Sequence, residues 1–270
     1  MQVYLDLVNK VLHNGTRKKN RTGVDTISCF AEHYTVDLAK GFPLLTTKKV
    51  NFESMLHELL WYLSGEDHIR NLRKHTKIWD AWADENGNLD TAYGRYWRRF
   101  PSAQWNPGSN RYDVTEIDQV KRVRDILKTE PYSRRMVISA WEPGNALDSK
   151  LPPCHYTFVF NVQDNTLNCH LTQRSGDIAL GIPFNLAAYS LLTIILAQEA
   201  NLKPGIFSHT IVDAHIYVNH IEGLQEQLTR EPRALPSIVV APKSIDDLVV
   251  DDFSLVGYNP WPAIKFPVAV

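Results

Sequence analysis

Cys154 stands in the run Leu151-Pro152-Pro153-Cys154-His155. Two prolines fix the backbone on its approach and remove two N–H donors. A thiol placed by such a turn, beside an imidazole and ahead of a strand, suits a nucleophile. Taken alone it is better explained as a packed thiol, and because adjacent strand residues face opposite sides, His155 need not touch the sulfur. The arginines add a second element. Arg21 lies in the basic loop 18–23, Arg134-Arg135 opens a strand, and Arg174-Ser175 closes one. Guanidinium forks match phosphate oxygens, and a serine hydroxyl adds a donor. Each arginine alone reads as surface charge. A cluster of them would lower the pKa of a nearby thiol, so an anion site and a thiolate site would support each other.

Asn185 follows Gly181-Ile182-Pro183-Phe184 just before an apolar helix. Its amide offers a donor and an acceptor to a ring edge, although a helix N-cap is the plainer reading. Glu58 falls within a helix that is apolar almost all round, so it needs a partner or a raised pKa. Trp79 and Trp82 flank Asp80, and such aromatics are more often core than ligand platform. Tyr93, in Ala92-Tyr93-Gly94, is a donor, a base or a packed ring.

The elements that must position these residues follow from periodicity. Helices are expected over 2–12, 55–63 and 186–201, the first ended by Asn14-Gly15 and the second by Gly65. Strands are expected over 26–38, 134–141, 156–162, 167–174 and 207–217. Between Leu167 and Arg174, alternation puts Leu167, Cys169 and Leu171 on one face and Asn168, His170, Thr172 and Arg174 on the other. The same reading puts His209, Ile211, Asp213, His215 and Tyr217 on one face of the last strand. Two polar faces ending in donors suggest a cavity above a sheet. The polar stretch 101–118, with Pro107, Gly108 and Asn110 at its centre, reads as an irregular surface loop. Strands and helices do not alternate regularly, so the expected class is α+β with a mixed sheet rather than a parallel βαβ array.

Composition limits the remaining classes. The 270 residues carry 29 Lys+Arg against 30 Asp+Glu, a formal charge of -1, so any anion site must be local. A chain of this length builds a core without disulfides or metals, and with no repeat or linker it reads as one domain over 1–270. Cys29, Cys154 and Cys169 are an odd number without a CxxC pair, which argues against a disulfide framework or a zinc site. Cys29 and Cys169 lie in apolar alternation and read as packed. No signal pattern opens the chain, and the apolar stretch 186–197 is too short and polar for a span, so a cytoplasmic location is expected.

Taken together, the motifs resemble the folate-dependent, cysteine-nucleophile thymidylate synthases. The carriers are Leu151-Pro152-Pro153-Cys154-His155, Gln173-Arg174-Ser175-Gly176-Asp177, Gly181-Ile182-Pro183-Phe184-Asn185 and Asp213-Ala214-His215-Ile216-Tyr217, in that order across the chain. Asn20-Arg21-Thr22-Gly23, Thr46-Thr47-Lys48, His57-Glu58-Leu59-Leu60-Trp61, Ile78-Trp79-Asp80, Tyr93-Gly94, Ser133-Arg134-Arg135 and the C-terminal Pro267-Val268-Ala269-Val270 also fit. The resemblance implies that Cys154 adds to C6 of deoxyuridylate, with Arg21, Arg174 and Ser175 on the phosphate. Arg134 and Arg135 would come from the neighbouring subunit of a homodimer whose sheets pack back to back. Asn185 would read the pyrimidine edge, and His215 and Tyr217 would hold the ribose. Glu58 and His155 would relay protons, and Tyr93 would assist loss of the C5 proton. Ile78, Trp79, Trp82, Asp177, Leu180, Gly181 and Phe184 would line the site of 5,10-methylenetetrahydrofolate, with Ala269-Val270 closing over it. No metal is implied, and neither a membrane nor nucleic acid is an expected partner.

Some positions depart from the family pattern. Val212 replaces a usual Gly, Val159 and Thr172 replace Gln and Tyr, Ser149-Lys150 replaces Met-Ala, and Trp261 stands where His is common. These could reshape the folate pocket or its control of water. A deoxyuridylate hydroxymethylase would share the covalent step and let water replace hydride. A nucleotide- or RNA-binding regulator is the reading from another class, disfavoured by the balanced charge.

Overall fold

The computed structural model describes residues 1–147 and 149–268. In chain order the elements are α1 (Gln2–Asn14), β1 (Thr16–Lys18), β2 (Thr26–Asp37), α2 (Phe52–Ser64), α3 (Tyr93–Arg98), β3 (Phe100–Asn106), β4 (Arg111–Ile117), α4 (Gln119–Thr129), β5 (Val137–Ser139), α5 (Pro143–Ala146), β6 (His155–Gln163), β7 (Thr166–Asp177), α6 (Gly181–Glu199), β8 (Lys203–Tyr217), α7 (Ile221–Leu228), β9 (Ser237–Val240) and β10 (Phe253–Val256), with short 3-10 turns between some of them. A six-stranded sheet runs β1-β2-β8-β7-β6-β5. β7 and β8 pair parallel and the other neighbours antiparallel, so the α+β class with a mixed sheet is as expected. The parallel pair requires a crossover, and α6 supplies it.

α6 is the centre of the core. It packs on β7 and β8, and α2 packs on it in turn. The helix starts at Gly181, five residues earlier than periodicity suggested, because Pro183 is tolerated in a first turn where N–H groups have no intrahelical partner. Its 19 residues are long and apolar enough to cross a bilayer by composition alone, but here they are mostly buried within the protein. α2 is buried nearly all round; Asn51 caps its start by accepting from the Ser54 N–H, and Gly65 ends it in the left-handed region at φ 75°. Gly94 lets α3 approach α2, since a Cβ there would come within 2.5 Å of the Tyr62 carbonyl oxygen.

Three corrections concern the strands. The stretch 101–118 is not irregular: β3 and β4 form a hairpin whose turn is held by the Asn106 side chain accepting from Gly108 and Ser109 N–H, with Asn110 at φ 52°. Both its faces are largely exposed, which erases the apolar alternation by which a strand is recognised. Residues 134–141 form only the short strand Val137–Ser139. The third correction shapes the site. Ala31, Arg174 and Val212 are skipped by the ladders of β2, β7 and β8, side by side across the sheet. Ala31 takes the strain, at φ 57°. Below this line Gln173, His209 and Ile211 are buried; above it the buried positions become Gly176, Ala214 and Ile216. Asp213, His215 and Tyr217 therefore do not continue the face of His209 and Ile211.

Candidate active site

The strand ends above that line form one wall of a cleft of about 890 Å³, within the usual range for a small-molecule site. α2, the start of α6, the loop 18–22 and the turn before β6 complete it. Cys154, Glu58, Tyr93, His155, Arg174 and Asn185 all line it, so residues from five separate segments converge.

Cys154 is held from both sides. Its N–H donates to the Tyr93 hydroxyl at 2.7 Å, and its carbonyl accepts from the Arg174 N–H at 2.8 Å. The Arg174 side chain donates to the Pro153 carbonyl at 3.0 Å through Nε and to the Pro152 carbonyl at 2.7 Å through Nη2, which lies 3.6 Å from Sγ. The two prolines thus present carbonyls to the guanidinium that also faces the thiol. Burial pushes the Cys154 thiol up, and the Arg174 and Arg21 charges only partly offset it. The arginines ease thiolate formation without by themselves holding a thiolate.

Glu58 is buried, and burial raises it to about 7 against the bonds from Trp79 and Tyr62. Trp79 Nε1 donates to Oε1 at 2.7 Å. A carboxyl poised near neutrality is suited to give and take a proton. Tyr62 was not singled out in the sequence, yet it lies one turn after Glu58, at i+4, where side chains meet. His155 is also buried and stacks on Tyr93 with ring centroids 3.7 Å apart. Its Nδ1 pairs with the Tyr189 hydroxyl at 2.6 Å, and burial lowers it to about 3. At neutral pH it is an uncharged imidazole, a fixed dipole rather than a store of protons.

Arg21, Ser175, His215 and Tyr217 also line the cleft. Arg21 lies over Trp82 at 5.7 Å, and Thr22 bonds to Tyr217. Lys18, unassigned in the sequence, pairs with Asp213, which its His215 and Lys18 neighbours hold near 2. Asn185 lies inside α6, so it is not the N-cap; its amide makes no hydrogen bond among the described residues. Among the described residues no side chain caps the helix; Asp177 instead orders the turn before it, its Oδ1 accepting from the Ala179 and Leu180 N–H groups at 2.9 and 3.2 Å.

Part of the lining is aromatic and apolar: Trp79, Trp82, Leu180 and Phe184, with Ile78 exposed and Gly181 leaving room beside Asp177. Val268 reaches the cleft from the C-terminal segment. Ala269 and Val270 lie outside the described residues. Arg134 and Arg135 are exposed and do not line this cleft. Among the described residues no group of three or more His, Cys, Asp or Glu is arranged to hold a metal.

Most of the departures sit elsewhere. Val212 is not at positive φ and, like Val159 and Thr172, does not line the cleft. Trp261 is an anchor: its N–H donates to the Thr46 carbonyl at 2.8 Å, and the Arg233 guanidinium lies over its ring at 4.6 Å. Only Ser149 and Lys150 touch the cleft.

Comparison with known proteins agrees with this geometry. The family model described as thymidylate synthase matches residues 2–270. A thymidylate synthase of Haloferax volcanii is 48% identical, over 98% of this chain and 95% of the relative. Matched over residues 2–270 by the family model and over 98% of its length by a relative 48% identical, the chain belongs to the thymidylate synthase family.

Proposed function

We propose that this chain, as one catalytic unit over 1–270, converts dUMP and 5,10-methylenetetrahydrofolate to dTMP and dihydrofolate. The observation that carries this reading is the Cys154 thiol 3.6 Å from the Arg174 guanidinium, in one cleft with a Glu58 carboxyl raised to about 7. In the covalent step the sulfur–C6 bond forms, the C5–C6 double bond opens, and the electron pair is delocalised onto C5 and the C4 oxygen. Arg174, Arg21 and Ser175 hold the phosphate. The Asn185 amide, free to turn, matches both the donor and the acceptor of the uracil edge. Folate supplies the one-carbon unit and then the hydride. The aromatic wall of Trp79, Trp82 and Phe184 offers a flat ring a stacking surface, and the Asp177 carboxylate offers its N–H groups an acceptor. Glu58 moves the proton at the uracil carbonyl, through water oriented by the neutral His155. Tyr93 assists removal of the C5 proton.

The test is incubation with both substrates, following product mass and the appearance of dihydrofolate. The methylated nucleotide with one dihydrofolate per turnover is expected. A hydroxymethylated product with tetrahydrofolate released would sink the reading.

We also propose that the working form is a cytoplasmic homodimer with shared sites. Support comes from Phe30, Val137 and Ile206, apolar side chains left exposed on β2, β5 and β8 of the six-stranded sheet, and from the exposed Arg134 and Arg135 beside β5. Mixing Arg134→Ala with Cys154→Ser chains is expected to restore activity, since some heterodimers hold one intact site. No recovery after exchange of subunits would count against shared sites.

A further inference from the structure

His220 belongs to no motif considered above. It follows Tyr217 by three residues in a 3-10 turn at the end of β8, a spacing that places the two side chains over one another. The imidazole is fully buried. On one side it meets the Tyr217 ring at 5.4 Å, and on the other Phe266 of the C-terminal segment at 5.1 Å. Nε2 contacts the Pro267 carbonyl oxygen at 2.7 Å, so this nitrogen carries a proton and donates it. Nδ1 has no hydrogen-bond partner and lies 3.7 Å from Asp177 Oδ1. A buried polar atom left without a bond is costly, and few native structures retain one without a reason.

We propose that His220 is a positioning residue for the folate half of the reaction, joining Asp177 to the C-terminal segment through the two nitrogens of one imidazole, with Nδ1 closing on the carboxylate when folate fills the cleft. The inference rests on Asp177 facing the folate. Both ends of the link line that subsite: Asp177 directly, and Val268 one residue beyond Pro267. Gly223 makes the fit tight, because a Cβ there would come within 2.7 Å of the Phe266 ring. A bond from Nδ1 to the carboxylate requires a proton on each ring nitrogen. Formation of the complex therefore takes up one proton from solvent and turns the imidazole into an imidazolium paired with Asp177. The charged and titratable groups around it are few. Asp177 comes from β7 and Tyr217 from β8. Lys48 lies over the far ring of Phe266 and donates to the Ala179 carbonyl. Tyr4 of α1 donates to the Ile178 carbonyl, while Glu222 of α7 and Lys265 are exposed. The carboxylate is the nearest of these charges.

The test compares the wild type, His220→Gln, His220→Phe and Asp177→Asn in kinetics and in calorimetry of folate binding to the dUMP complex, run in buffers of different ionisation enthalpy. His220→Phe is expected to raise the folate KM about tenfold with dUMP affinity within about twofold of wild type. His220→Gln, which retains a donor for the Pro267 carbonyl, is expected to recover part of that loss. Wild type is expected to take up at least about half a proton more than His220→Gln on binding folate. An equal proton count, with a wild-type folate KM in His220→Gln, would overturn the proposal even if His220→Phe fails to fold. A wild-type folate KM in Asp177→Asn would instead overturn the placing of Asp177 in the folate site.

Discussion

Cys154→Ser is expected to lower kcat by more than about 10^4-fold while dUMP still binds. The reason lies in what surrounds the sulfur. Burial already holds the thiol above its ordinary pKa, and the two arginines only partly offset this. A serine hydroxyl in the same place starts several units higher still, with the same weak electrostatic help, so no useful fraction ionises. The turn itself should survive the change. Its bonds run through the Cys154 backbone to Tyr93 and Arg174, and from the Arg174 side chain to the Pro152 and Pro153 carbonyls. Calorimetric titration with dUMP, alongside steady-state turnover, separates the two effects. Turnover retained in the serine variant would refute covalent catalysis by this residue.

Glu58→Gln is expected to cost about 10^2- to 10^4-fold in kcat, as loss of a general acid–base group does, and yet to stabilise the fold at pH 8. Burial raises the carboxyl from 4.5 to about 7 in the folded protein. The protonated form is thus the one the fold favours. The stability it contributes is fully present below about pH 4.5 and is lost as pH rises through 7, where the folded protein must hold a buried charge. At pH 8 the wild type bears that penalty, on the order of 3 kcal/mol, and glutamine removes it. The amide oxygen can still accept from Trp79 Nε1. Thermal unfolding at several pH values checks this: the gain in melting temperature should be largest at pH 8 and shrink towards zero near pH 4. A gain independent of pH would mean that the carboxyl is not perturbed in this way.

Both residues were visible in the sequence for local reasons. A charge within an apolar helix and a thiol after two prolines are conflicts or constraints that need no tertiary information to notice. The α+β class and the main strands were legible for the same reason, since period-2 and period-3.6 patterns are properties of consecutive residues. Asn185 shows where that ends. As a helix start it reads as a cap, but Pro183 sits in the first turn, the helix begins at Gly181, and Asp177 orders the turn before it by accepting from the Ala179 and Leu180 N–H groups.

What the sequence by itself determined is the set of groups on offer: three thiols, one of them after two prolines, a carboxyl within an apolar helix, and a few guanidinium groups in an otherwise charge-balanced chain. What only the tertiary structure decided is which face each side chain reaches. Alternation put His209 and Ile211 with Asp213, His215 and Tyr217, but the line of skipped residues at Ala31, Arg174 and Val212 turns three strands together, sending the first pair into the core and the rest to the cleft. The physical reason is that such a line forms between neighbouring strands, each of which must lose its ladder partner at the same level. No single strand carries that information, and neither does the contact from His220 to Asp177, made across two elements 43 residues apart.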